Sequence, residues 1–225
     1  MFGMETNIFA GRKVLLSAAA RGLGPTLARS LVSRGAEVIG IDGCAQSLDS
    51  LRVEVGGSFT VLASNRCDEL SVTEIARWVA DEHGSLFAVI CNLALPWPAT
   101  TMSRLETTRS IVQSRLLAAL VAPQLAVGAG SQMIVLAPDI GVKPLDFSAL
   151  GEGPGDEPRI LRATLSDEMV RAQGRADRAA AQLLSAANDG LTSVRLSQSS
   201  WARLGARVSQ RFCAPLHKVQ RAATP

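Results

Sequence analysis

The chain has 225 residues, of which 47% are apolar and 19% charged, and it carries a formal net charge of +3. That length suits one well-buried domain and is short for two, and the composition is that of a globular protein rather than a disordered one. Both signs of charge are mixed along most of the sequence, which leaves a nucleic-acid partner with only weak electrostatic support. No apolar run approaches the ~20 residues needed to cross a bilayer. Cys44, Cys67, Cys91 and Cys213 lie far apart with no CxxC pairing and no leader-like segment precedes them, so a reducing, cytoplasmic setting is expected. Two scarcities limit the available chemistry: the chain has no tyrosine, and its lysines are Lys13, Lys143 and Lys218 alone.

In chain order, apolar β-branched runs predict strands at Lys13–Ser17, Glu37–Asp42, Phe59–Ala63, Phe87–Asn92, Gln132–Ala137 and Ser193–Ser197. Helices are predicted between them. Pro25–Arg34 begins with a proline, carries Leu27, Ala28, Leu31 and Val32 on one face and stops at Gly35. Ser71–His83 repeats that pattern before Gly84, and longer helices are expected over Thr107–Ala122 and Ser166–Asn188. The last of these is rich in alanine, which fits either high helix propensity alone or a close helix-to-helix subunit contact. Residues 142–160 gather glycine, proline and acids without periodicity and are expected to form a long loop. Residues 200–225 read as a shortened helical tail in which Arg203, Arg207 and Arg211 share a face. Strands alternating with helices predict one doubly wound, Rossmann-like α/β domain spanning 1–225, with about six parallel strands, helices on both faces and right-handed crossovers.

The stretch from Gly11 to Asp42, GRKVLLSAAARGLG…LARSLVSRGAEVIGID, resembles the opening of the short-chain dehydrogenases/reductases, whose TGxxxGxG turn binds the pyrophosphate of a dinucleotide. Ser17 matches the threonine, Gly22 and Gly24 match the second and third glycines, Arg21 lies within the turn, and Ala18 replaces the first glycine. The resemblance implies that Asp42 contacts the adenosine ribose, favouring NAD over NADP, that Asp68 in RCDEL contacts the adenine, and that Asn92 in VICNLAL keeps the asparagine of the family's NNAG segment. Both aspartates also fit simple strand-end or capping roles. A side chain at position 18 is expected to divert the turn, because the first glycine serves a conformation that Cβ-bearing residues resist.

Elsewhere the resemblance fails. The family's catalytic asparagine is matched by Gln113 and its carbonyl-polarising serine by Pro138. The tyrosine–lysine pair falls in SDEMVRAQG, near Asp167 or Glu168 and Arg171 or Ala172, and Ser199 and Ser200 stand at the proline–glycine step that faces the nicotinamide. With no tyrosine the proton-relaying pair cannot exist in any register. Loss of chemistry with retention of packing implies a catalytically degenerate subunit. The expected partner is an active NAD-dependent paralogue in a hetero-oligomer, a heterotetramer by analogy, supporting alcohol or 3-hydroxyacyl (acyl-CoA) dehydrogenation. No cofactor is expected on this chain, or NAD if any, and no metal. Two alternatives stay open: an oxidoreductase with rebuilt chemistry using Asp139, Glu168 or a cysteine such as Cys91, and a dinucleotide-binding sensor.

Overall fold

The computed structural model describes residues 7–64, 69–92, 125, 130–138, 159–165 and 176–196. Its elements are β1 Lys13–Ser17, α1 Gly24–Ser33, β2 Glu37–Asp42, α2 Ala45–Val55, β3 Phe59–Ala63, α3 Glu69–Trp78 (continued by a π-helical turn, Val79–His83), β4 Ala88–Cys91, β5 Gln132–Pro138, β6 Arg159–Leu165, α4 Ala176–Asn188 and β7 Ser193–Leu196. The strands form one seven-stranded sheet in the order β3-β2-β1-β4-β5-β6-β7, parallel at every pairing. This is the doubly wound architecture that the alternation of patterns predicted, with one strand more than expected.

Both faces of the sheet are apolar, and each collects its own core. On one face Val14, Leu16, Val38, Phe59, Ile90, Ile134 and Leu161 pack with Leu27, Ala28 and Leu31 of α1, Leu48 and Leu51 of α2, and Leu183 and Leu184 of α4. On the other, Leu15, Ile39, Val89, Cys91, Met133 and Val135 pack with Val72, Ile75 and Ala76 of α3. A strand buried on both sides needs apolar residues at odd and even positions alike, which is why these strands read as unbroken runs rather than alternating ones.

α1 has Pro25 in its first turn. It ends in a Schellman arrangement: the Ala36 N–H donates to the Leu31 carbonyl, the Gly35 N–H donates to that of Val32, and Gly35 sits at φ 79°. α4 ends the same way, with Leu191 donating to Ala186 and Gly190 to Ala187.

Several expectations change. Residues 159–160, taken as the end of a loop, begin β6, so the strand over Ser193–Leu196 is the seventh and lies at the sheet edge. α2 was not foreseen, although Leu48, Leu51 and Val55 mark its inner face and Gly56 its end. Ala179, Ala180, Ala186 and Ala187 of α4 are buried in the cluster that contains α1, so their small size serves a helix contact inside this chain. Uniform right-handedness also fails. β1–α1–β2 and β6–α4–β7 step across the sheet in opposite directions with their helices on the same face, so the two units have opposite hands. The predicted helix over Thr107–Ala122, the tail 200–225 and most of the predicted loop lie outside the described residues.

Candidate cofactor-binding site

From β1 the chain winds to β2 on one side, while β4 lies on the other. This reversal opens a crevice at the carboxyl ends of the strands, where doubly wound sheets bind ligands. The residues there form one hydrogen-bonded unit. Ser17 is buried at the end of β1, and its Oγ donates to the Asn92 carbonyl at 3.2 Å. Asn92, 2% exposed just after β4, donates its Nδ2 to the carbonyls of Ala18 at 3.0 Å and Arg21 at 3.1 Å. One amide thus ties the two walls of the crevice together.

The turn between β1 and α1 is fixed from within as well. The Arg21 N–H donates to the Ala18 carbonyl at 3.2 Å, that of Gly24 to the Arg21 carbonyl at 2.8 Å, and that of Ala19 to Ile41 of the neighbouring strand at 3.0 Å. Gly24 permits this closeness: a Cβ there would stand 2.2 Å from the Ala18 oxygen and 2.5 Å from that of Ala19. Gly22 sits at φ 57°. Position 18 carries the left-handed conformation that glycine serves. Ala18 takes φ 48° and is the sole non-glycine with positive φ among the described residues. The alanine lies in the left-handed region, and its carbonyl accepts the Arg21 N–H and the Asn92 Nδ2.

Asp42, at the end of β2, has a fully buried carboxylate. Its Oδ2 accepts the Ala20 N–H at 3.1 Å, and its Oδ1 accepts the Cys44 N–H at 3.1 Å. The Arg21 guanidinium closes on it with Nε 2.9 Å from Oδ1 and 3.2 Å from Oδ2, and with Nη2 2.9 Å from Oδ1. A carboxylate offers about four lone-pair positions, and the chain's own donors take them up. A dinucleotide therefore meets a mixed fit: the glycines and the turn are present, but the ribose contact that the resemblance assigns to Asp42 is already made to Arg21.

The site gathers Ser17, Arg21, Gly22, Gly24, Asp42 and Asn92 from the sequence-level set; Asp68 lies outside the described residues. So do Gln113, Asp139, Asp167, Glu168, Arg171, Ala172, Ser199 and Ser200. The topology nevertheless revises the alignment of some of them. The helix expected between the fifth and sixth strands, where the tyrosine and lysine belong, was placed at Ser166–Asn188; in the structure β6 precedes that segment, and its described part, α4, joins β6 to β7. Asp167 and Glu168 therefore follow the sixth strand, Ser199 and Ser200 follow the seventh, and the interval between β5 and β6 is 139–158.

Cys91 is fully buried in the apolar core against α3, and burial pushes its thiol up to about 12, away from the thiolate form that a nucleophile uses. Cys44 was not singled out. It is exposed at the start of α2, 3.1 Å from the Ser47 hydroxyl, and hydrogen bonding from the Ser47 side chain and backbone holds its thiol below the ordinary value. The Cys-x-x-Ser spacing ahead of a helix was the available signal. Among the described residues no three His, Cys, Asp or Glu side chains gather as a metal site, and no helix is long and apolar enough to cross a membrane.

Sheet order and the reversal beside β1 define a doubly wound, Rossmann-like α/β fold. More narrowly, it is the fold seen in solved short-chain dehydrogenases/reductases. A glucose/ribitol-type short-chain dehydrogenase/reductase from Brucella melitensis superposes with a TM-score of 0.64 at 14% identity, covering 85% of this chain and 98% of its own. The citronellol catabolism dehydrogenase AtuB of Pseudomonas aeruginosa PAO1 gives 0.61 at 17% identity, over 84% of this chain and 95% of its own. A metagenomic short-chain oxidoreductase, solved in complex with NADP, gives 0.57 at 17% identity, over 85% of this chain and 100% of its own. No family model matches the sequence, and no curated protein matches it.

Proposed function

We propose that this chain is a catalytically degenerate subunit with the short-chain dehydrogenase/reductase fold. It assembles with an active, NAD-dependent paralogue and supports that partner's oxidation of an alcohol or 3-hydroxyacyl substrate. One observation carries the reading: a sequence of 225 residues with no tyrosine, on a fold whose resemblance assigns the proton transfer to tyrosine. The environment of Asp42 supports it, because the acid that would hold a ribose is engaged inside the chain. So does the core, since the strands and helices that build the sheet are packed on both faces while the tyrosine is absent.

The test is co-expression with a paralogue that carries the tyrosine and lysine, the first choice being one encoded by a neighbouring gene. The two chains are expected to elute together in size-exclusion chromatography at the mass of a mixed tetramer, and the paralogue is expected to lose activity or stability without this chain. A chain that stays alone with every such paralogue overturns the reading. So does purified chain that by itself oxidises an alcohol with NAD, which would favour an oxidoreductase with rebuilt catalytic residues.

A further inference from the structure

We propose that Arg21 is the built-in occupant of the ribose subsite: its guanidinium takes the acceptor positions of Asp42 that a ribose diol would need, and so withholds the cleft from dinucleotides. The inference rests on reading the crevice beside β1 as the dinucleotide cleft of this fold.

The geometry separates two kinds of donor to Asp42. The N–H groups of Ala20 and Cys44 belong to backbone that is fixed on either side, by the Ala19–Ile41 hydrogen bond and by the start of α2. They stay whether or not a ligand is present. Arg21 differs: its side chain is 47% exposed on a flexible stem, while the carboxylate it covers is 0% exposed. Among the described residues it is the partner of Asp42 that can swing away, and while it is in place it shields the carboxylate. Its fork contacts both oxygens, the same two acceptors that the paired hydroxyls of a ribose diol would use. A ribose diol must therefore displace Arg21 before it reaches the acid. Apparent affinity scales with the fraction of molecules in which the competing contact is open, so a pair open about one-tenth of the time lowers it about tenfold. The same pair anchors the turn to β2, which gives the unliganded chain a reason to keep Asp42.

The experiment is calorimetric titration of NADH and of NADPH into the full chain, as wild type, Arg21→Ala, Arg21→Gln and Arg21→Ala/Asp42→Asn, with circular dichroism to establish folding. Arg21→Gln decides the matter if Arg21→Ala does not fold. Removing the guanidinium is expected to tighten NADH binding about tenfold or more, and adding Asp42→Asn is expected to reverse that gain. The proposal is overturned if both folded single variants bind NADH no more tightly than wild type, or if the gain survives Asp42→Asn. It is also overturned if wild type binds NADPH more tightly than the variants do, since Arg21 would then be a phosphate contact. Co-elution with a paralogue is read separately, so a failed assembly test leaves this one standing.

Discussion

Replacing Ala18 with glycine should stabilise the protein, the reverse of what this exchange does at most positions. At φ 48° an L-residue carries on the order of 1–2 kcal/mol of strain. Glycine removes that strain, but it gives the unfolded chain extra freedom worth roughly 0.5–1 kcal/mol and forfeits the half-buried methyl, worth no more than about 0.4 kcal/mol. The balance favours Ala18→Gly by about 0.5 kcal/mol, or about 1–2 °C in Tm for a chain of this size. Urea titration followed by circular dichroism resolves the sign when Ala28→Gly is run beside it. Ala28 is fully buried in α1, and there the exchange should cost about 1 kcal/mol or more. If Ala18→Gly destabilises the chain as much as Ala28→Gly does, the account of a strained but retained turn is wrong.

Asn92→Ala removes the amide that joins the two walls of the crevice. The Ala18 and Arg21 carbonyls each keep one backbone donor, so the loss is set at about 2 kcal/mol rather than the cost of two orphaned groups, and the urea midpoint measures it. In a chain with Cys67 and Cys213 changed to serine, a thiol reagent at neutral pH should label Cys44 in the native state and Cys91 only after denaturant is added. Equal native rates would contradict the buried environment of Cys91. His83 gives a pH dependence. Desolvation, and then the charge of Lys13, lower its pKa against the opposing pull of Glu82 and Glu37. The unfolded chain therefore binds the proton more readily, and the contribution of neutral His83, complete above the ordinary imidazole value, is lost as pH falls through and below it. Urea midpoints from pH 7.5 to 5.5 should fall more steeply for wild type than for His83→Gln.

How far the sequence carried can be judged element by element. β1, β2 and β4 were legible because double-sided burial demands continuous apolar runs, β3, an edge strand, because its aromatic and β-branched residues favour a strand, and α1 because a proline and a glycine bracket it. β6 was missed because Arg159 and Arg162 interrupt its apolar pattern; both are exposed, as a strand near the sheet edge allows. That omission shifted the alignment of everything after β5 and moved the expected catalytic helix one unit along the chain. α2 escaped notice because its exposed positions outnumber its two fully buried leucines.

Composition alone decided one matter: without a tyrosine, no arrangement of this chain can supply a tyrosine proton donor. Local pattern decided a second, the alternation of strand and helix, because burial periodicity is a property of neighbouring residues. What Asp42 does could be settled only in three dimensions. Arg21 and Asp42 lie 21 positions apart, and they meet because β1 and β2 pair in register and bring the turn after one strand over the end of the next. Whether a carboxylate is open to a ligand or already held depends on that adjacency, which no linear spacing encodes.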